Sequence, residues 1–149
     1  MDPRSLTKDF REFLQCLNAR GVEYLVIGGH AVAFYGYPRA TADLDVWIAV
    51  NPHNASLVVT ALRDFGFDVP DLTPELFLQE DRIIRMGIAP NRIEIQTGID
   101  GVHFPDCYLR RALAELDRVP VSFISLPDLK ANKKASGRNK DLADLDHLP

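Results

Sequence analysis

Tyr24-Leu25-Val26-Ile27-Gly28-Gly29, followed after thirteen residues by Asp43-Leu44-Asp45-Val46, is the stretch from which the rest of the chain is read. Val22 to Ile27 is a short β-prone run. Gly28-Gly29 closes it, and His30 to Tyr35 then reads as a short helix that stops at Gly36. Glycines at a strand-to-helix junction let backbone amides approach a phosphate closely, and a helix N-terminus offers unpaired N–H groups. Taken alone, the pair reads first as an ordinary tight turn.

Asp43 and Asp45 change that reading. In a strand, residues i and i+2 point to one face, so the two carboxylates share a face while Leu44 and Val46 take the core side. Two rises of ~3.3 Å put their Cα atoms about 6.6 Å apart. At that separation two carboxylates repel by about 2.5 kcal/mol at an effective dielectric of about 20. Amid so much apolar sequence, a bound divalent cation would relieve the repulsion. Oxygen ligands suit magnesium, which takes one or two carboxylates together with substrate phosphates. The other reading is a solvated sheet edge carrying two surface aspartates.

Working outward toward the N-terminus, Leu6, Phe10, Phe13, Leu14 and Leu17 recur at helical spacing, with Gly21 as the stop. Toward the C-terminus, Asp43 to Val50 predicts a strand. Asn51-Pro52 is an N-cap with proline at the first helical position, opening a helix that runs to Phe65. Residues 68–78 hold no clear period. Arg82 to Ile88 and Arg92 to Thr97 predict two strands joined by Ala89-Pro90-Asn91. Residues 106–117 suit a helix, and Val119 to Ile124 a strand. Ser125 caps a further helix that Gly137 breaks, and Asp141 to Leu148 supplies a last turn or two. The expected fold is α/β: a mixed central sheet flanked by helices, in a single domain over residues 1–149.

Ile27-Gly28-Gly29 and Asp43-Leu44-Asp45-Val46, in that order and spacing, resemble the signature of the DNA polymerase β-like nucleotidyltransferases. The resemblance implies that Gly28 and Gly29 hold the terminal phosphates of an NTP and that Asp43 and Asp45 bind magnesium in a two-metal site. That superfamily usually adds a third acidic residue on a later strand. Glu94, between Ile93 and Ile95, fits by alternation, although most relatives carry aspartate there; a plain surface glutamate is the other reading. Asp100 and Asp106 are weaker candidates. The segment from Ser125 to Asp144 is similar to a tail found in small prokaryotic nucleotidyltransferases, the group that includes AbiEii-like toxins. By that analogy Lys133 approaches the triphosphate, and Lys140 with Asp141 and Asp144 fixes the last helix. Arg39, just before the aspartates, is a further nucleotide-contact candidate with plain surface charge as the other reading; Thr41 either positions Asp43 or contacts the nucleotide, and His30 beside the diglycine either touches nucleotide or serves packing. Trp47 alternates to the face of Asp43 and Asp45, where it either stacks near a base or makes an ordinary core contact.

The resemblance implies transfer of a nucleoside monophosphate from an NTP to a hydroxyl of an acceptor. The expected acceptor is a protein, a tRNA or a small molecule, and a cognate toxin or antitoxin or a second copy of the chain is an expected partner. The alternative is a nucleotide-binding or protein-interaction module of the same fold without turnover. Bulk properties are compatible with both. The 149 residues are 46% hydrophobic and 26% charged, with a formal net charge of −4, so the whole molecule carries no footprint of a general nucleic-acid binder. Lys130, Lys133, Lys134, Arg138 and Lys140 nevertheless form a local basic segment. Cys16 and Cys107 have no CxxC spacing, which argues against a disulfide framework or a cysteine zinc site. No apolar run approaches the ~18 residues of a membrane span, and Met1-Asp2-Pro3-Arg4 lacks the apolar core of a signal peptide, so a cytoplasmic location is expected.

Overall fold

The computed structural model describes residues 6–38, 41, 43–88 and 91–149. Its elements, in chain order, are α1 (Lys8–Ala19), β1 (Tyr24–Ile27), α2 (Gly28–Phe34), β2 (Asp43–Ile48), α3 (Pro52–Asp64), a 3₁₀ turn (Pro74–Phe77), β3 (Ile83–Met86), β4 (Arg92–Gln96), α4 (Phe104–Leu109), β5 (Ala112–Leu116), β6 (Val119–Phe123), α5 (Leu126–Ser136) and α6 (Asn139–His147). The strands form one mixed sheet in the order β3-β4-β2-β1-β6-β5. β1 runs antiparallel to β2 and parallel to β6, and β2 runs parallel to β4. The expectation of a mixed sheet with flanking helices is met.

Local chemistry explains where most elements begin. Thr7, Asn51 and Ser125 each accept a hydrogen bond from the backbone N–H three residues on, which caps α1, α3 and α5. Pro52 and Pro127 sit in the first turn of their helices, where a missing N–H costs nothing. Gly137 ends α5 in the left-handed region at φ 65°, a conformation that glycine adopts without Cβ strain. All four residues of β1 are buried, as expected for a central strand covered on both faces. β2 alternates at its start: Leu44 and Val46 are fully buried, whereas Asp43 and Asp45 are half-buried. Buried Asn54 on α3 ties β1 to β2. It accepts from the Glu23 N–H and donates to the carbonyls of Glu23 and Ala49.

One predicted element is corrected. Residues 106–117 do not form a helix: α4 stops at Leu109, and Ala112–Leu116 is β5, hairpinned to β6. Ala-Leu-Ala-Glu-Leu has high helix propensity, but pairing with β6 overrides it. The two turn residues, Asp117 at φ 51° and Arg118 at φ 67°, carry the paired positive angles of a type I′ hairpin turn. The turn has no glycine, so its usual sequence signal is missing. In the stretch 68–78, which lacked a period, Leu72 and Phe77 anchor irregular chain to the core.

Candidate active site

The sheet brings two distant strands together with their carboxylates in step. In the parallel β2–β4 pair, Asp43 lies opposite Arg92, Asp45 opposite Glu94 and Trp47 opposite Gln96. Alternation then places all six side chains on one face. Arg92 grips Asp43 in a bidentate pair, Nε to Oδ1 at 2.9 Å and Nη2 to Oδ2 at 3.0 Å. Arg85, on β3, donates through Nε to Oε1 of Glu94 at 2.9 Å.

Asp45 is differently placed. Its Oδ1 is buried and has no hydrogen-bond partner among the described residues. Burial first, then the hydrogen bond shared with Glu94 and the negative charges of Glu94 and Asp43, push its carboxyl up to about 7; the positive charge of Lys140 opposes the shift. Gly28 explains how the carboxylate fits. Gly28 sits at φ 67°, and a Cβ there would lie 2.1 Å from Asp45 Oδ2. The first glycine therefore makes room for the carboxylate.

A cleft of about 340 Å³ opens beside Asp45, lined among others by Gly28, Gly29, Lys133, Arg138 and Lys140. Lys133 is 3% exposed and bonded to Asp141 at 3.0 Å and Asp144 at 2.9 Å. It is thus Lys133, rather than Lys140, that ties α5 to the two aspartates of α6. Asp141 also receives Arg138 Nε at 2.9 Å and the Ser136 hydroxyl. Burial raises the Asp141 carboxyl, but these hydrogen bonds outweigh it and hold the group below its ordinary value. Lys140 carries its charge toward Asp45.

Of the sequence candidates, Gly28, Gly29, Asp45 and Lys133 line the cleft, with Asp43 and Glu94 on the adjoining sheet face. Asp100 also lines it, whereas Asp106 sits in the first turn of α4. Thr41 donates to the Asp43 carbonyl at 3.1 Å. His30 is buried edge-to-face against Phe10, with ring centroids 5.5 Å apart, on the core side of α2. Arg39 lies outside the described residues. Arg92 and Arg85 on the sheet face, and Arg138 and Lys140 at the cleft, join the site from outside the sequence candidates for it. Arg92 was within reach of the same argument, because it stands two residues before Glu94 on the same strand.

The donor set fits a divalent cation in its chemistry. A buried carboxylate oxygen without a partner, against a second carboxylate in register, is an oxygen-rich and electrostatically unrelieved position. It is not a ready-made cage: among the described residues no three potential ligands converge on one point, and arginines hold Asp43 and Glu94. No helix among the described residues is long and apolar enough to cross a membrane.

No protein-family model matches the chain. No curated protein matches its sequence. Among solved structures, the chain is similar to an antigenic nucleotidyltransferase-like protein from Paracoccidioides brasiliensis, at 19% identity and a TM-score of 0.53, over 94% of this chain and 75% of that one. At that identity the likeness is one of architecture, and this chain has a nucleotidyltransferase-like fold.

Proposed function

We propose that the chain is a magnesium-dependent nucleotidyltransferase that moves a nucleoside monophosphate from an NTP to a hydroxyl of an acceptor. The observation that carries this reading is Asp45: a half-buried carboxylate with one buried, unpartnered oxygen, in register with Glu94, seated against a side-chain-free Gly28 and beside a cleft that Lys133, Arg138 and Lys140 line together with Asp81, Asp100 and Asp141. The nucleotidyltransferase-like fold supports it.

The chain's own groups divide the work. Arg138 and Lys140 face the cleft where a triphosphate would lie, and Gly28-Gly29 leave its floor free of side chains. Asp43, Asp45 and Glu94 would hold magnesium, which supplies charge neutralisation on the phosphates and activation of the attacking oxygen. Arg92 and Arg85 orient Asp43 and Glu94 until then. In the transfer, the acceptor oxygen forms a bond to the α-phosphorus. The bond from that phosphorus to the bridging oxygen breaks, and pyrophosphate leaves with the electron pair. The hydroxyl proton passes to Glu94, the carboxylate opposite Asp45 in the sheet, as general base.

A second reading, nucleotide binding without turnover, is favoured by one observation: the bidentate Arg92–Asp43 pair occupies a carboxylate that the reaction needs free. Incubation with α-labelled NTPs, magnesium and a cell extract separates the two. Label transfer is expected, and Asp43→Ala and Asp45→Ala each abolish it. Magnesium-dependent binding without transfer would favour the module. Absence of any magnesium-dependent NTP binding would sink both.

A further inference from the structure

The sheet ends on two strands with an open edge, β3 and β5, and the two are guarded differently. An open edge is a row of unpaired N–H and C=O groups, which proteins usually protect with charge, proline or a bulge. β3 carries Arg85, ion-paired to Glu94, and exposed Arg82 stands just ahead of it. β5 has no such guard. Ala112-Leu113-Ala114-Glu115-Leu116 holds no proline and a single charge. Leu113 is 72% exposed, and Leu109, shortly before the strand, is 83% exposed.

The β5–β6 hairpin fixes which backbone groups of β5 are free. Its two-residue turn makes Leu116 and Val119 the hydrogen-bonded pair that closes it. Bonded and non-bonded pairs alternate along an antiparallel ladder. Ala112 and Ala114 therefore bond to β6, while Leu113 and Glu115 turn their N–H and C=O groups outward. Pro120 agrees with this phase: it stands opposite Glu115 and has no N–H to give. Alternation also sends the side chains of Arg111, Leu113 and Glu115 to one face, where Leu113 and Glu115 are exposed.

We propose that β5 is the docking edge for a second copy of this chain, paired antiparallel about a two-fold axis through Leu113. The inference is independent of the proposed function. Charge and apolar character match in this register. Leu113 meets its own copy, and Arg111 falls opposite Glu115 on each side of the axis. Leu113 exchanges both N–H···O bonds with its copy, and the outward N–H of Glu115 meets the Arg111 carbonyl of the second copy. Arg111 is already held at the edge: its guanidinium lies 4.1 Å from the Tyr108 ring centroid, and its Nη1 donates to the Tyr108 carbonyl at 2.9 Å. Neighbouring registers lose the match. Centring on Ala114 sets Leu113 opposite Glu115, and centring on Ala112 sets it opposite Arg111. Centring on Glu115 sets like charges face to face, which is destabilising. The pairing is isologous, so it closes at two copies and uses up the exposed edge.

Sedimentation of the full chain over a hundredfold range of concentration tests this. The expected species is a dimer of the 16.7 kDa chain. Leu113→Lys sets two ammonium groups face to face at the axis and is expected to weaken association at least tenfold. Glu115→Arg, now opposite Arg111, is expected to do the same. Both side chains are exposed, and unchanged far-UV circular dichroism shows that each variant is folded. Oxidative cross-linking in a Cys16→Ser background reads the register. Cα atoms of a hydrogen-bonded antiparallel pair lie about 5.5 Å apart, within disulfide reach. Leu113→Cys is therefore expected to give a covalent dimer. Glu115→Cys is not, because its copy lies ~13 Å further along the strand. A chain that is monomeric at every concentration, a dimer that Leu113→Lys leaves intact, or cross-linking through Glu115→Cys in place of Leu113→Cys would overturn the assignment. None of these readouts involves nucleotide, so such a failure leaves the proposed function where it stands.

Discussion

At the scale of single residues, Asp45 concentrates the chemistry. Its carboxyl titrates at about 7 in the fold against 3.8 for the ordinary group, chiefly because it is buried and secondly because Glu94 is beside it. The sign follows from proton binding. Between about pH 4 and 7 the folded chain holds a proton that the unfolded chain releases, so this group's contribution to stability falls as pH rises through that window and is level above it. Each pKa unit corresponds to about 1.4 kcal/mol, so the penalty above pH 7 is on the order of a few kcal/mol. Asp45→Asn keeps the shape and removes the charge. In metal-free protein it is expected to raise stability to urea at pH 8, with the gain shrinking toward zero by pH 4. A difference between wild type and Asp45→Asn that instead moves in wild type's favour as pH rises across that window would mean that Asp45 is stabilised as an anion. The same substitution abolishes magnesium-dependent transfer under the proposed function, so stability and activity move in opposite directions.

At the scale of elements, the β5–β6 hairpin is where local preference and tertiary pairing disagree. Its turn forces Asp117 and Arg118 to positive φ. The left-handed region costs a non-glycine residue roughly 1–2 kcal/mol, while glycine adds about 0.5–1 kcal/mol of chain entropy in the unfolded state. Arg118 is exposed, so Arg118→Gly sheds strain without loss of packing. A net stabilisation of about 0.5–1 kcal/mol is expected, read as a higher urea midpoint at an unchanged slope. An unchanged or lower midpoint would show that the turn is relaxed with arginine in it. Asp117 is a poorer choice, because its Oδ2 accepts the Leu6 N–H at 2.9 Å and pins the chain ahead of α1. α5 and α6 make the opposite case. Both helices are legible from caps and breakers, yet what binds one to the other is Lys133 between Asp141 and Asp144, a buried ionic cluster whose disruption would leave uncompensated charge.

At the scale of the whole molecule, the candidate site draws on β2, β4, the α2 entrance and the α5–α6 pair, so a nucleotide would cross-brace segments far apart in sequence. A ligand that binds only the folded state adds about 2.7 kcal/mol at a hundred times its Kd. For a chain of this size that corresponds to a rise in Tm of roughly 5–10 °C. MgATP is expected to give this shift in wild type, and Asp45→Ala to lose it; a shift equal in both would place the nucleotide away from the carboxylates. The sequence by itself determined what depends on alternation and on neighbours within a few residues. Asp43 and Asp45 share a face, Leu44 and Val46 lie inside, Glu94 stands between apolar neighbours, and Asn51 and Ser125 open helices. Strand period and capping are local geometry, so these are legible in a string of letters. Only the tertiary structure decided which carboxylate meets which partner. Asp43 finds Arg92 across 49 residues, Asp45 falls opposite Glu94, and Lys133 rather than Lys140 bonds to Asp141 and Asp144. Ala112–Leu116 becomes a strand because β6 offers an edge. Register and convergence are set by the packing of the whole chain, and no short window of sequence carries them.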